Sequence, residues 1–304
     1  MNIKASGLRS FIHNLLIISI LSSLLLQACG QSSSGERELG ARASLQANLP
    51  TGGNELIDPA GMNVKSRFRT PEGFARTVEA GNSFGAYLRN LHLKPHGSEV
   101  RLYDGRIKAN QDAYDAVVDL DIGHRALHQC ADAVMRLRAE YLYGQGQYEQ
   151  IHFNFANGFR VDYSEWMQGK RIVVNGNSTR WEQRASPSNS YRDLWNYLEI
   201  VFAYAGSLSL SKELRPVPVA DMQIGDVFIM GGSPGHAIIV VDMAVDESGK
   251  KIFLLAQSYM PAQEIHVLRN PDERSISPWC FVPDDELPTP EWTFSSRDLK
   301  RFSD

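Results

Sequence analysis

Three side chains in this sequence are of the types that nucleophilic catalysis by a thiol requires: Cys130, His236 and Gln257. A free thiol has a pKa of about 8.5, so it needs a neighbouring base to form thiolate near neutral pH. That base needs a third polar group, which fixes its tautomer and the plane of its ring. The three residues are therefore candidates for a nucleophile, a base and an orienting amide.

The hydrophobic pattern places the last two of these residues at one end of a hairpin. Strands are predicted over His236–Val241 and Lys251–Gln257, and the segment Asp246–Gly249 has the composition of the turn between them. Antiparallel pairing brings the start of the first strand towards the end of the second. We therefore expect the imidazole and the amide to lie within a few residues of each other.

The candidate nucleophile lies in a segment with helical periodicity. Apolar residues recur every three or four positions over Arg125–Tyr143, which predicts a helix that begins near Arg125. Cys130 would then lie in the second turn, where no backbone N–H is free to stabilise a thiolate. The catalytic role requires a helix that begins at Gln129 or Cys130. Cys130 also falls on the apolar face, so a buried, inert thiol is the competing interpretation.

The amino terminus has the pattern of a secretion signal. Residues 1–28 contain two cations and no acid, followed by an apolar run of about 13 residues, which is too short to span a membrane. The run ends in Leu26-Gln27-Ala28-Cys29, which resembles a bacterial lipoprotein box. That resemblance implies lipidation of Cys29 and a membrane-anchored protein of the bacterial cell envelope. A plain signal peptide that happens to contain a cysteine is the alternative.

Composition then divides the rest of the chain. Residues 29–73 are rich in Ser, Gly, Asn and Pro and are predicted to be a flexible tether, and residues 74–304 are predicted to be a single domain. With Cys29 lipidated, Cys130 and Cys280 remain, and in an oxidising envelope compartment they could form a disulfide.

The order of the predicted elements indicates an α+β fold. Helices over Arg125–Tyr143 and Tyr191–Ala205 precede strands over Val227–Met230, His236–Val241, Lys251–Gln257 and Ile265–Leu268. Further strands are predicted over Glu99–Asp104, Tyr114–Asp121 and Gln150–Phe155. Helices followed by hairpin-connected strands favour an antiparallel sheet with helices packed against it.

Two family resemblances add to these expectations. The runs GDVFIMGG, PGHAIIVVDM and FLLAQS, with QCADAV upstream, resemble the papain-like hydrolases of the NlpC/P60 and CHAP type. This resemblance implies a papain-like antiparallel sheet, with Cys130 as nucleophile, His236 as base and Gln257 as orienter. It also implies cleavage of amide bonds in cell-wall (peptidoglycan) peptides without a cofactor. The runs QCADAVMRLRAEYLY and LLAQSYMPAQ resemble an uncharacterised bacterial lipoprotein family, which carries no established activity.

Two other functions stay open at this point. His124 and His128 are four residues apart, and with Asp121 they would suit a metal-dependent hydrolase, although the Glu of an H-E-x-x-H motif is missing. A non-catalytic binding or scaffolding lipoprotein would keep the fold and bury Cys130. Nucleic acid is not an expected partner, because 31 Lys and Arg face 35 Asp and Glu and the net charge is −4.

Overall fold

The computed structural model describes residues 56–303, and the expected signal peptide and residues 29–55 of the expected tether lie outside this range. The α helices of the described range are α1 (Val64–Arg67), α2 (Phe84–Arg89), α3 (Cys130–Gly144), α4 (Tyr163–Met167), α5 (Tyr191–Tyr204) and α6 (Ser207–Glu213). Short 3-10 turns cover Gln111–Ala113, Tyr148–Gln150, Val219–Asp221 and Ser296–Asp298. None of the helices within residues 56–303 is long and apolar enough to cross a membrane.

The strands form one large antiparallel sheet and three small hairpins. Their bounds are β1 (Phe74–Arg76), β2 (Tyr114–Val117), β3 (His152–Asn154), β4 (Arg160–Asp162), β5 (Lys170–Asn175), β6 (Ser178–Gln183), β7 (Arg215–Pro216), β8 (Val227–Met230), β9 (His236–Asp246), β10 (Lys251–Gln257), β11 (His266–Leu268), β12 (Cys280–Phe281), β13 (Glu286–Pro288), β14 (Thr293–Ser295) and β15 (Leu299–Arg301). The large sheet has the order β2-β11-β10-β9-β8-β15-β7, with β1 added to β9 and β12 added to β10. The remaining pairs are β3-β4, β5-β6 and β13-β14.

The expected α+β fold with an antiparallel sheet is confirmed. The hairpin of β9 and β10 lies at its centre, with Leu255 opposite Val240 and Ala256 opposite Ile239. Both strands are apolar and buried along most of their length. Helix α3 packs against β9 and β10, and the segment around Trp279 and Phe294 contributes further buried aromatic rings to the core.

The folded domain begins earlier than composition indicated. Residues 56–73, which were assigned to the tether, contain helix α1, and Val64 and Phe68 are fully buried in the main core. Asn63 caps this helix by accepting a hydrogen bond from the Ser66 N–H at 2.8 Å. A few apolar side chains within a polar stretch were enough to attach it to the domain, although its average composition resembled a linker.

Several predicted strands differ from the structure: β9 continues to Asp246, β3 covers only His152–Asn154, and two strands nearer the amino terminus differ more. Residues 99–104 form only isolated bridges, from Arg101 to Ile107 and from Leu102 to Gln263. The strand predicted over Tyr114–Asp121 ends at Val117. At both places successive residues pair with different segments of the chain, so no continuous series of strand hydrogen bonds forms.

Candidate functional site

Helix α3 begins at Cys130, five residues later than the periodicity predicted. Gln129 before it has an extended backbone, with φ −98° and ψ −165°, and its N–H donates to Asp132 Oδ2 at 2.9 Å. The carbonyl oxygen of His128 is held outside the helix by Ser258 Oγ at 3.0 Å. Tertiary hydrogen bonds therefore stop the helix at the position that a catalytic thiol requires.

This start changes the environment of the thiol. At the first position of a helix, the backbone N–H groups of Cys130 and Ala131 have no acceptor within the helix, and the helix dipole is positive there. Burial raises the pKa of the thiol, and the backbone of Ala131, Ala237 and Cys130 itself offsets part of that rise. The first turn of α3 can thus stabilise negative charge on sulfur or on an oxygen placed next to it.

The thiol lies at a groove of about 310 Å³. Cys130 is 7% exposed, so it is mostly covered but not sealed inside the domain. The groove is bordered by the start of α3, by the junction of α5 and α6, and by the loop before β9, including Gln129, Asp132, Ser207, Ser209, Gly232 and Gly235. A ligand in the groove would meet the sulfur beside the free end of the helix.

The predicted base and its orienting amide are in direct contact. His236 Nε2 lies 2.8 Å from Gln257 Oε1, and both residues are almost completely buried. The ring of His236 also lies against Tyr259, Trp292 and Phe294, with centroid distances of 5.0, 5.4 and 5.8 Å. The imidazole is therefore held by an aromatic wall as well as by its hydrogen bond.

The network around Gln257 fixes which way its amide points. Its Nε2 donates to Glu291 Oε2 at 2.7 Å and lies 3.2 Å from His266 Nε2. A carboxylate can only accept, and Glu291 Oε1 also forms an ion pair with Lys108 Nζ at 2.7 Å. The amide oxygen of Gln257 must then face His236.

The orientation of this amide decides the tautomer of His236. An oxygen acceptor at 2.8 Å requires the proton on Nε2, so the lone pair of the neutral ring lies on Nδ1. Nδ1 is the nitrogen that can take a proton from a thiol. The amide is thus placed where it can orient the imidazole.

The helix that begins with the thiol packs against the strand that begins with the imidazole. Ala237, whose backbone offsets part of the rise that burial causes in the Cys130 pKa, follows His236 directly in β9. Burial raises the pKa of Tyr259, which contacts the His236 ring, and the charges of Glu291 and Cys130 add to this effect. Folding therefore places His236 and Gln257 in direct contact and the helix of Cys130 against the strand that begins with His236.

Burial keeps both reacting groups neutral at rest. It raises the pKa of the Cys130 thiol to about 11, and the nearby Asp132 carboxylate adds to this effect. Burial lowers the pKa of His236, and the Gln257 hydrogen bond offsets part of that shift. A neutral thiol and a neutral imidazole favour transfer of the Cys130 proton to His236 during nucleophilic attack. They do not favour a thiolate–imidazolium ion pair that exists before the substrate binds.

The residues of the metal alternative do not converge. His124 and Asp121 are exposed, whereas His128 is fully buried, with Nδ1 3.4 Å from the Gln263 carbonyl oxygen and its ring against Phe202. Within residues 56–303, no group of three or more His, Cys, Asp and Glu side chains could hold a metal ion. These residues therefore do not form the metal site that the metal-dependent hydrolase alternative requires, because His124 is exposed and His128 is buried.

The disulfide alternative is also wrong in this structure. Cys130 and Cys280 are both free thiols. Cys280 lies in β12, paired with Phe253 of β10, and burial raises its pKa to about 12. The two cysteines contribute to different parts of the fold, the first to the groove and the second to the core.

Sequence reasoning missed the outer members of the site. Lys108, Glu291 and His266 come from distant segments, and no motif or spacing connects them to Gln257. Tyr259 was detectable in principle, since it follows the orienting residue by two positions. Cys29, the expected lipid attachment residue, lies outside the described residues.

The fold and the site together define an α+β domain that carries a thiol, an imidazole and an amide at one end of its central hairpin. The chain belongs to the family described as Domain of unknown function (4846), which matches residues 64–301. Searches of curated proteins and of solved structures found no match.

Proposed function

We propose that this protein is a papain-like cysteine hydrolase that cleaves amide bonds in cell-wall peptides and is tethered to the bacterial envelope by a lipid on Cys29. The observation that carries the proposal is the position of Cys130 at the start of α3, at a groove and in a helix that packs on β9, the strand that begins with the Gln257-bonded His236. The substrate class follows from the resemblance to NlpC/P60 and CHAP hydrolases and from the expected location.

The reaction would proceed through a thioester. Cys130 Sγ attacks the carbonyl carbon of the amide while His236 Nδ1 takes the thiol proton. The oxyanion that forms accepts hydrogen bonds from the backbone N–H groups at the start of α3. His236 then donates the proton to the leaving amine as the C–N bond breaks. Water, deprotonated by the same imidazole, hydrolyses the thioester and returns the free thiol and a carboxylic acid.

Each part of this mechanism has a counterpart in the structure. The groove provides access to the sulfur, the first turn of α3 provides N–H donors, and the aromatic wall with Gln257 holds the base. The papain-like assignment is supported by the order of these parts along the chain. The helix with the thiol comes first, then the strand with the imidazole, then the paired strand with the amide.

The test is incubation of the detergent-solubilised protein with peptides released from peptidoglycan, followed by mass spectrometry. We expect new amine and carboxylate ends with the wild type and none with Cys130→Ala. Cys280→Ala is the matched control, because it removes the other described thiol and leaves the groove intact. Equal cleavage by the Cys130→Ala variant and the wild type would exclude the mechanism.

A second candidate function is a non-catalytic binding lipoprotein that uses the same groove. The observation in its favour is the thiol itself, which is mostly covered and has a pKa raised to about 11 by burial. Such a protein would bind cell-wall peptides without cleaving them. Binding of intact peptide by the wild type and by Cys130→Ala with equal affinity, without products, would favour this function.

A further inference from the structure

Asp132 in the first turn of α3 has an unusual environment. The residue is 5% exposed, and its Oδ2 accepts the Gln129 N–H at 2.9 Å. Its Oδ1 is buried and has no hydrogen-bond partner among the described residues. Buried carboxylate oxygens are nearly always paired, since burial without a donor is costly. Asp132 Oδ1 is therefore a candidate acceptor for a hydrogen-bond donor supplied by a ligand.

Asp132 borders the groove that also reaches Cys130. No Lys, Arg or His is among the described residues that line this groove. The polar residues that line the groove beside Asp132 include Gln129, Ser233, Ser207 and Ser209, and the last two have hydroxyls in contact with backbone carbonyl oxygens of Gly232 and Gly206. The groove therefore combines one unpaired acid with no protein cation, next to the nucleophile.

We propose that Asp132 forms a subsite for a cationic amino group of the substrate, close to the bond that Cys130 attacks. The inference deepens the proposed function, on which it rests, by naming a charged group that the substrate must carry. An ammonium group has three N–H donors and a positive charge, so it would supply both what Oδ1 lacks and a counter-charge for the carboxylate. Amino groups are common in peptides, both at their ends and on side chains.

The charge of Asp132 responds to such a ligand. Burial raises the pKa of this carboxyl to about 8. An ammonium group at Oδ1 would favour the ionised form, because opposite charges at short distance stabilise each other. A bound ammonium group therefore promotes ionisation of Asp132 and forms an ion pair with it. A neutral or anionic group at the same place would form no such pair.

The test uses the reactivity of Cys130 as a probe of charge in the groove. The full-length protein is treated with three methanethiosulfonates that carry a methyl, an aminoethyl or a sulfonatoethyl group. Labelling of Cys130 is followed by peptide mapping, and each rate is divided by the rate with free cysteine. We expect the cationic reagent to react about 10-fold faster than the anionic one.

The Asp132→Asn variant should abolish this preference, measured as the ratio of the cationic to the anionic rate, in which any change in the thiol pKa common to all three reagents cancels. Asp119→Asn is the matched control, because it removes the same charge from an exposed position just before the helix region. It should keep the preference. Should Asp132→Asn fail to fold, competition replaces it: propylammonium chloride should slow labelling of the wild type by the neutral reagent, and sodium propionate at equal ionic strength should not.

The outcomes separate this inference from the proposed function. Equal rates for the cationic and anionic reagents in the wild type would overturn the subsite and leave the hydrolase intact. A clear preference, lost in Asp132→Asn, in a protein that cleaves no peptide would support the subsite and count against the hydrolase. Failure of all three reagents to label Cys130 would overturn both, because the groove would then be closed to ligands.

Discussion

Among the individual side chains, Gln257 has the most specific role. Its oxygen faces His236, and its nitrogen faces Glu291 and His266. His266 Nδ1 lies 2.9 Å from the Glu264 carbonyl oxygen and must donate to it, which leaves Nε2 as an acceptor for Gln257. Both amide hydrogens of Gln257 are thus used, and the reversed orientation would break three contacts at once.

The first prediction concerns Glu291→Gln. A glutamine at this position can donate as well as accept, so it no longer fixes the orientation of Gln257. We expect kcat for peptide cleavage to fall about 10-fold, with little change in KM, because the base loses part of its orientation. Steady-state kinetics beside Glu286→Gln, an exposed acid in β13, is the measurement. A change confined to KM would contradict the positioning role of Glu291.

The second prediction concerns pH. Burial lowers the pKa of His236 below its ordinary value of 6.5, so the ring stays neutral and able to accept a proton in mildly acidic solution. We expect the acid limb of kcat/KM for peptide cleavage to lie below pH 6.5. A pH series from 4 to 9 gives the midpoint, and an acid limb centred above pH 6.5 would contradict this assignment of the base.

At the level of elements, the central strand β9 is joined to the amino-terminal part of the domain by a buried ion cluster. Asp242 is fully buried and accepts from Arg76 Nε at 2.7 Å and from Arg89 Nε at 2.6 Å. Arg76 lies in β1 and Arg89 ends α2, so one carboxylate attaches two elements to the strand that begins with His236. The cluster holds the sheet against the helices that border it.

The third prediction follows from this cluster. Asp242→Asn leaves two guanidinium groups largely buried beside a neutral amide, and the free energy of unfolding should fall by about 3–5 kcal/mol. Urea denaturation followed by circular dichroism measures the change. Asp104→Asn, which breaks the exposed pair with Arg106, should have little effect. Similar stabilities of the two variants would show that the buried cluster contributes no more than a surface pair.

For the whole molecule, buried ionisable groups make stability depend on pH. Burial raises the pKa of Glu213 to about 7 and that of Asp132 to about 8. An acid whose pKa is higher in the folded state than in the unfolded state stabilises the fold below its unfolded pKa. That stabilisation is lost as the pH rises through its folded pKa. Burial lowers the pKa values of His128 and His266 to about 3. Their contribution is present above pH 6.5 and is lost as the pH falls through about 3.

The fourth prediction combines these signs. Between about pH 4.5 and 6.5 the acids and the histidines oppose each other, so the melting temperature should be nearly flat there and should decline on both sides. Glu213→Gln, which mimics the protonated acid, should reduce the decline between about pH 6.5 and 8. The exposed Glu149→Gln should leave it unchanged. Scanning calorimetry from pH 3 to 9 provides the test, and identical profiles for wild type and Glu213→Gln would rule out this source of the decline.

The fifth prediction concerns the anchor proposed at Cys29. Cys29→Ser removes the atom that would carry the lipid, so the protein should move from the detergent phase to the aqueous phase in phase partitioning. Cys280→Ala retains Cys29 and should stay in the detergent phase. Partitioning of Cys29→Ser with the detergent would show that something other than this lipid holds the protein at the membrane.

Local pattern alone was enough for much of the fold. The strands β8 and β10 and the start of α5 were predicted at the residues where the structure has them, because apolar periodicity, turn residues and the Ser190 cap act over a few positions. Residue chemistry and strand order also sufficed to select Cys130, His236 and Gln257 as one candidate set. These inferences depend on interactions between neighbours in the chain, which a sequence displays directly.

Contacts between distant segments determine the start of α3 and the orientation of Gln257, which local pattern did not predict. Helix α3 begins at Cys130 because Ser258, 130 residues away, holds the carbonyl oxygen of His128, although the apolar pattern extends further upstream. Gln257 points as it does because Glu291 and Lys108, 183 residues apart, meet beside it. A hydrogen bond has a direction and a length that only the folded backbone supplies, so neither the free end of the helix nor the tautomer of His236 could be read from residue order.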